Sequence, residues 1–231
     1  MFSYRFVELV RFPELMINEE VGTIVNLEIP GFTESASTRI RFVSNDHHGF
    51  ELYEITHQIR IKDTGTAYGF LDDRPVTLPF KDYLKTFTVF VYVHRSERYL
   101  LFAQTAAVVK DLFGRAQKNT DLQTELIAYE LDLDMIREIV EEYRAVWMRG
   151  ISTRVTSTGL FGSDLVHDPL FGQLLADGAH LSSVTVPFMG INVQINSAGG
   201  VSSHQKFDST EAELFLVRSL KTDLIDRVRK P

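Results

Sequence analysis

Residues 86–93 have the sequence TFTVFVYV, and no other stretch indicates the fold as clearly. In an extended strand its alternate positions place apolar side chains on both faces: Phe87, Val89, Val91 and Val93 on one, Phe90 and Tyr92 on the other. Because both faces are apolar, the pattern predicts a buried, central strand. The polar segment 94–98 and the apolar run 99–102 then predict an antiparallel neighbour joined by a short turn.

The two-residue period of a strand recurs through the first hundred residues. It predicts further strands near 2–9, 23–29, 38–43 and 50–61. A helix should follow, with Thr105 as its cap, because apolar residues recur at helical spacing from Val108 to Ala116. The polar stretch after this helix predicts a division into a mostly β subdomain, residues 1–118, and an α+β subdomain, residues 122–231.

The second half mixes helical and strand periods. It predicts strands at 125–131, 149–160, 181–189, 191–196 and 201–207, and helices at 134–147, 170–175 and 210–228. Trp147 ends the apolar stripe of the first of these helices, so we expect its side chain to be buried against the sheet. The fold class predicted is α+β, a largely antiparallel sheet with two or three packed helices. Each half ends in a β-hairpin and a helix, which allows two halves of similar pattern.

Composition restricts the class of protein. The chain has 231 residues, of which 44% are hydrophobic and 24% charged, as in folded soluble proteins. A formal charge of −7 argues against bulk binding of nucleic acid, but it is compatible with a local basic patch. The absence of cysteine excludes disulfides, thiolate nucleophiles and cysteine-ligated zinc. With neither a secretory leader pattern nor an apolar stretch of membrane-spanning length, we expect a soluble, cytoplasmic protein without a membrane partner.

Familiar catalytic motifs are missing from the sequence, including the phosphate-binding loop, the dinucleotide fingerprint, His-Glu-x-x-His and Gly-x-Ser-x-Gly. Two clusters contain residue types that could bind a metal or act as general bases. The first comprises Asp46, His47, His48, Glu51, Glu54 and His57, and the second comprises Asp164, His167 and Asp168. A solvated polar loop explains the first cluster more simply, and a helix cap at Asp168 before Pro169 explains the second. We therefore expect no metal, no other cofactor and no catalytic residue.

A polar stretch with two arginines is the candidate partner-binding site. Arg149, Thr153 and Arg154 provide cationic and hydroxyl donors, and the neighbouring Trp147 could stack on a base. The simpler alternative is an exposed face of a sheet. A second candidate, for a protein partner, is the acidic helix face around Glu138 and Glu142, although this pattern is also typical of a solvated helix surface.

These observations favour a non-enzymatic binding protein that acts as a subunit of a larger assembly. Its expected partner is a protein, with nucleic acid and self-association left open. The alternative is a small metal-dependent hydrolase or nuclease that uses one of the two histidine and carboxylate clusters. Whether the protein is an enzyme is undecided from sequence, with the balance against it.

Overall fold

The computed structural model describes residues 2–29, 32–103, 106–152 and 155–230. Within these ranges twelve strands form one antiparallel sheet, and its path runs β2-β3-β4-β5-β6-β1-β12-β11-β10-β8-β9, with β7 paired to β1. The strands are β1 Phe2–Arg11, β2 Glu20–Ile29, β3 Phe32–His47, β4 Phe50–Leu71, β5 Arg74–His94, β6 Tyr99–Ala103, β7 Glu125–Ala128, β8 Ala145–Arg149, β9 Ser157–Phe161, β10 His180–Phe188, β11 Ile191–Asn196 and β12 Gly200–Ser203.

Three helices pack on or beside this sheet in the described part of the chain. They are α1 Ala106–Lys118, α2 Pro169–Ala176 and α3 Thr210–Leu220, and α3 continues through a π-helical turn, Lys221–Ile225, and a final turn, Asp226–Val228. The predicted α+β class with a largely antiparallel sheet is therefore confirmed in outline, with the sheet dominating. None of the helices in the described ranges is long and apolar enough to cross a membrane.

The sheet has a separate hydrophobic core on each face. Alternation along β1 divides its side chains between them, so that Phe6 enters the core that α3 covers and Val7 enters the core that α1 covers. We call these the α3-side core and the α1-side core. The α3-side core also contains Leu214 and Val217, and the α1-side core contains Val109.

The stretch 86–93 lies in the middle of the sheet, where β5 pairs with β4 and β6. Val89, Val91 and Val93 are fully buried in the α1-side core, as the alternation predicts. On the other face Tyr92 is buried in the α3-side core, whereas Phe90 is 43% exposed. The expectation of burial on both faces therefore holds for only part of this strand.

The predicted helix at 134–147 is wrong. Only Met135–Glu138 forms a helical turn, of the 3-10 type, and the chain then enters β8. Val146 and Met148 are fully buried and pair with β10, which shows that strand pairing outweighs the helical period of the apolar residues. The single strand predicted at 149–160 is likewise wrong, because β8 ends at Arg149 and β9 returns beside it from Ser157.

Both halves of the sequence contribute strands to the one sheet. β1 pairs on one side with β6 of the first half and on the other with β12 of the second half. The division at 118–122 and the similarity of the two halves remain predictions.

We predict that Gly199→Ala destabilises the protein by about 2–4 kcal/mol. Gly199 has φ of +75°, and an added β-carbon would lie 2.8 Å from Cβ of Tyr129. Both the left-handed backbone and the overlap oppose a side chain there. Urea unfolding would measure the change in the free energy of unfolding.

Gly178→Ala is the matched control. Its φ is +92°, but an added β-carbon would have nothing within 4 Å. This variant should lose only the backbone contribution, about 1–2 kcal/mol. Equal losses at the two glycines would contradict the close approach of Gly199 to Tyr129.

Candidate functional site

The most prominent feature of the surface is a long β-hairpin. β4 and β5 have 22 and 21 residues, but β3 pairs with β4 only as far as His57, and β6 pairs with β5 only from Phe90. Beyond these points the two strands pair, among the described residues, only with each other. We call residues 59–85 the arm. At about 3.3 Å per residue, its thirteen-residue first strand extends about 40 Å from the body.

The distal arm, residues 65–80, exposes large apolar side chains to solvent. Its segments GTAYGFL, 65–71, and PVTLPF, 75–80, contain no charged residue, and β5 begins just before the second segment with Arg74. Tyr68 is 82% exposed, Phe70 79% and Leu78 61%. A two-stranded ribbon is only marginally stable by itself in water, and exposed apolar surface of this kind is typical of interaction sites. The distal arm is therefore a candidate docking element.

The tip of the arm is a tight, acidic turn. Asp72 and Asp73 have φ of +50° and +63°, as the two central residues of a type I′ hairpin turn require. Aspartate tolerates this conformation, but Asn-Gly prefers it. The tip therefore carries two carboxylates at some conformational cost, directly beyond the exposed Phe70.

A groove lies between α1 and the edge strand β2, and we call it the α1–β2 groove. Its volume is about 810 Å³, and its apolar lining includes Ile24, Ala107 and Gly114. Lys110 and Lys118 also line it, and neither forms an ion pair with any residue that the structure describes. The groove thus combines apolar side chains with two unpaired lysines, and its lining also includes the ion pair of Asp111 and Arg115.

A hydrogen-bonded network fixes α1 to the base of the arm. Arg115 of α1 donates to the carbonyl oxygens of Ser37 and Gln58 at 3.2 and 2.8 Å. The buried His57 ring lies between Thr38 and Asp111, with its nitrogens 2.8 Å from Thr38 Oγ1 and 2.9 Å from Asp111 Oδ2. Burial, together with the nearby Arg115 charge, lowers the pKa of His57 below its ordinary value.

The first histidine and carboxylate cluster is divided among separate partners. Glu51 pairs with Arg95, Glu54 with Arg41, and His57 belongs to the α1 network. His48 lies in the β3–β4 turn, 4.0 Å from Glu211. The side chains of Asp46 and His47 lie outside the described part.

The second cluster is also divided. Asp164 and His167 form an exposed pair with each other. Asp168 instead caps α2, because its Oδ1 accepts hydrogen bonds from the backbone nitrogens of Leu170 and Phe171 at 2.8 and 3.1 Å. This confirms the simpler reading of Asp168 as a cap. Across the described residues, no three histidine or carboxylate groups come close enough together to hold a metal ion.

The predicted partner-binding residues are only partly described. Arg149 is exposed at the end of β8, whereas Thr153 and Arg154 lie outside the described residues. Trp147 was expected to be buried, and this is wrong: it points to the same side of β8 as Arg149 and is 42% exposed. The reason is the change from helix to strand, which places Val146 and Met148, rather than Trp147, in the core.

The acidic helix face around Glu138 and Glu142 does not form. Glu138 ends the 3-10 turn, and Glu142 follows in an irregular segment where it pairs with Arg144 at 3.2 Å. The two carboxylates therefore share no helix surface.

Sequence reasoning missed the arm. No strand was predicted between residues 62 and 85, where the two strands of the arm contain two glycines and two prolines, residue types that weaken a strand pattern. The signal that could have identified it is the symmetrical arrangement of two uncharged segments around Asp72-Asp73, with apolar residues at alternate positions of both.

Comparison with known proteins adds no family. The chain matches no protein-family model, and a search among curated proteins found no match. The surfaces of the molecule itself are therefore the basis for inferring its function.

We predict that the free energy of unfolding decreases as the pH falls from 7 to 5. Above the ordinary histidine pKa, about 6.5, His57 is neutral in both states. Below this pH, His57 becomes protonated in the unfolded chain but stays neutral in the folded protein, because folding lowers its pKa. The free energy of unfolding therefore decreases by at most about 1.4 kcal/mol per pH unit from this residue.

The variant His57→Gln should be less stable at pH 7 but show a shallower pH dependence. A residual slope should come from His94, because burial lowers its pKa too. The exposed His204→Gln serves as control, because it removes an imidazole that takes no part in the α1 network, and it should leave the stability at pH 7 unchanged. A His57→Gln slope equal to that of the wild type would contradict the assignment.

Proposed function

We propose that this chain is a non-enzymatic binding protein that forms a larger assembly with copies of itself. In this assembly the arm of one copy docks in the α1–β2 groove of the next. The observation that carries the proposal is the distal arm, which exposes uncharged strands on a ribbon that only its own partner strand supports.

Charge and polarity support a second copy as the occupant of the groove. The arm offers Phe70 near the carboxylates of Asp72 and Asp73, which outnumber the single cation of the adjacent Arg74. The groove offers apolar side chains together with Lys110 and Lys118, and the one carboxylate in its lining, Asp111, is already paired with Arg115. Apolar contact would supply affinity, and the opposite charges would orient the tip.

Geometry favours contact between copies over contact within one chain. The groove lies beside the base of the arm, where Arg115 of α1 binds the carbonyl oxygen of Gln58. The tip lies about 40 Å beyond that point. Because arm and groove are different surfaces, their contact is heterologous, and heterologous contacts build rings or filaments rather than simple pairs.

The prolines of the arm favour docking by its faces. Pro75 and Pro79 lie opposite Phe70 and Thr66 in the ladder and cannot donate a hydrogen bond. Their missing N–H groups belong to the outer edge of β5, which makes that edge a poor template for another strand. Strand addition along β5 is thereby disfavoured, and face contacts remain.

The alternative of a metal-dependent hydrolase or nuclease has less support. The described members of both candidate clusters are engaged in separate ion pairs, networks or a helix cap. Neither set converges on a common point where a substrate could lie.

The arm can be tested without weakening its fold. Asp72→Asn with Asp73→Gly removes both carboxylates and installs the residues that a type I′ turn prefers. We expect the hairpin to be at least as stable, and self-association to weaken about tenfold or more. Sedimentation velocity over a wide range of protein concentration measures the association.

The groove can be tested by a matched pair at one position. An added β-carbon at Gly114 has nothing within 4 Å, so Gly114→Ala should stabilise α1 slightly and leave association intact. Gly114→Phe should obstruct the groove and reduce association as much as the arm variant does.

Mixing the two defective variants gives the decisive result. The arm variant keeps a functional groove and Gly114→Phe keeps a functional arm, so together they should form a single contact and stop at a heterodimer. A wild-type chain that stays monomeric at every concentration, or a Gly114→Phe variant that assembles normally, would refute the proposal.

A further inference from the structure

One large surface of the sheet carries no helix in the described part of the chain. On strands β8, β10, β11 and β12 the α3-side core covers one face only. The other face, which we call the open face, lines a cavity of about 550 Å³. Its lining includes Ser3, Trp147, Arg149, Ser183, Gln194, Asn196 and Ser202.

Trp147 forms an aromatic platform at one end of the open face. Its ring meets Phe161 edge-on, with centroids 5.5 Å apart and planes at 88°. On the neighbouring strand is Gly159, where an added β-carbon would lie 3.0 Å from Cζ3 of Trp147. The glycine thus lets the indole lie close against the sheet, while 42% of the residue remains exposed. A flat, fixed and exposed indole is suited to stacking.

Amide and hydroxyl groups occupy the middle of the open face. Gln194 donates from Nε2 to Ser183 Oγ at 3.0 Å, which fixes the orientation of its amide. Asn196 Oδ1 accepts hydrogen bonds from the backbone nitrogens of Ala198 and Gly200, both at 3.0 Å, so its Nδ2 remains available as a donor. Such groups can pair with the edges of unpaired bases.

The charge of the open face is positive in an acidic protein. The chain has 31 Asp and Glu residues, but none lines this cavity. Arg149 does line it and forms no ion pair within the described residues. A polyanion would therefore meet no repulsive side chain there.

Arg5 extends this character beyond the cavity. It pairs across the sheet with Gly200, which lines the cavity, and it points to the same side of β1 as Ser3. Its Nε is buried and has no hydrogen-bond acceptor among the described residues. Arg5 also lines a second cavity, of about 450 Å³, together with Lys110 and Gln117 of α1. A partly buried guanidinium without a counter-charge is costly, and a bound anion would offset that cost.

We propose that the open face binds single-stranded nucleic acid. One base stacks on Trp147, neighbouring bases pair with Gln194 and Asn196, and phosphates reach Arg149 and Arg5. The path from β8 to β1 crosses four strand spacings, or about 19 Å. Sheets of similar width in RNA-binding modules hold two or three bases.

The unmatched arginines favour this ligand over a neutral sugar, which would also stack on Trp147. Duplexes fit poorly because their bases are not free to stack on a side chain. The inference does not depend on the proposed assembly.

The lone tryptophan makes the test direct. Trp147 is the only Trp of the chain, so its fluorescence should be quenched when the full-length protein is titrated with short oligouridylate or oligothymidylate. Quenching by a neutral oligosaccharide but not by either oligonucleotide would overturn the proposal, as would a lack of response to all of these probes at low salt.

Variants then locate the contacts through the anisotropy of labelled oligouridylate. Trp147→Ala should weaken binding about tenfold or more, and Trp147→Phe should retain most of the binding, which shows that the loss in the alanine variant is not a loss of folding.

Arg5→Gln with Arg149→Gln should reduce the slope of log affinity against log salt by about 1.4, which is about 0.7 for each phosphate contact. Arg137→Gln is the matched control, since Arg137 packs over Phe171 on the opposite side of the sheet. Equal effects of Arg137→Gln and the double variant would overturn the assignment of this face.

Discussion

The fold depends on the burial of β1 on both faces and at both edges. Phe6 and Val7 are adjacent in sequence and fully buried, yet they enter different cores on opposite sides of the sheet. The same strand pairs with β6 and β12, and so joins the two halves of the sheet, β2 to β6 and β12 to β9. Because burial on both faces needs a cover on each side, α1 and α3 must pack on opposite faces. The α1–β2 groove and the cavity beside Arg5 both lie against α1, the cover of one face.

The surfaces that the covers leave exposed differ in chemistry. On the α1 side the helix is fixed near the base of the arm by Arg115 and the buried His57. It therefore leaves a groove along β2 on one flank and the open face on the other. The groove and the distal arm are apolar with opposite charges at their margins, which suits contact between proteins. The open face combines a single aromatic ring with amides, hydroxyls and unmatched arginines, which suits an anionic polymer better than another folded surface.

The sequence correctly predicted those elements that a regular apolar pattern or a local capping interaction specifies. The valines at alternate positions of 86–93 all enter the α1-side core, as their spacing indicates. The Asp168 cap before Pro169 follows from local chemistry alone. Prediction failed where pairing with a strand distant in sequence outweighs the local spacing of apolar residues. Residues 136–147 have helical spacing, but β10 recruits Val146 and Met148 into the sheet and so turns Trp147 outward. The arm was missed for a related reason, since no other element in the described part of the chain covers it and its alternating apolar residues remain exposed. The candidate surfaces therefore depend on tertiary features, and of their residues the sequence indicated only Arg149 and the neighbouring Trp147.

Lys110 connects the two proposed sites. It lines both the α1–β2 groove and the cavity beside Arg5, because it projects from α1 between them. One ammonium group cannot give its full charge to a carboxylate in the groove and to a phosphate beside Arg5 at the same time. If both ligands bind, occupation of either site must weaken the other, and thermodynamic linkage makes the two effects equal. The charge of a single side chain would then make assembly and nucleic-acid binding compete, without any change of fold.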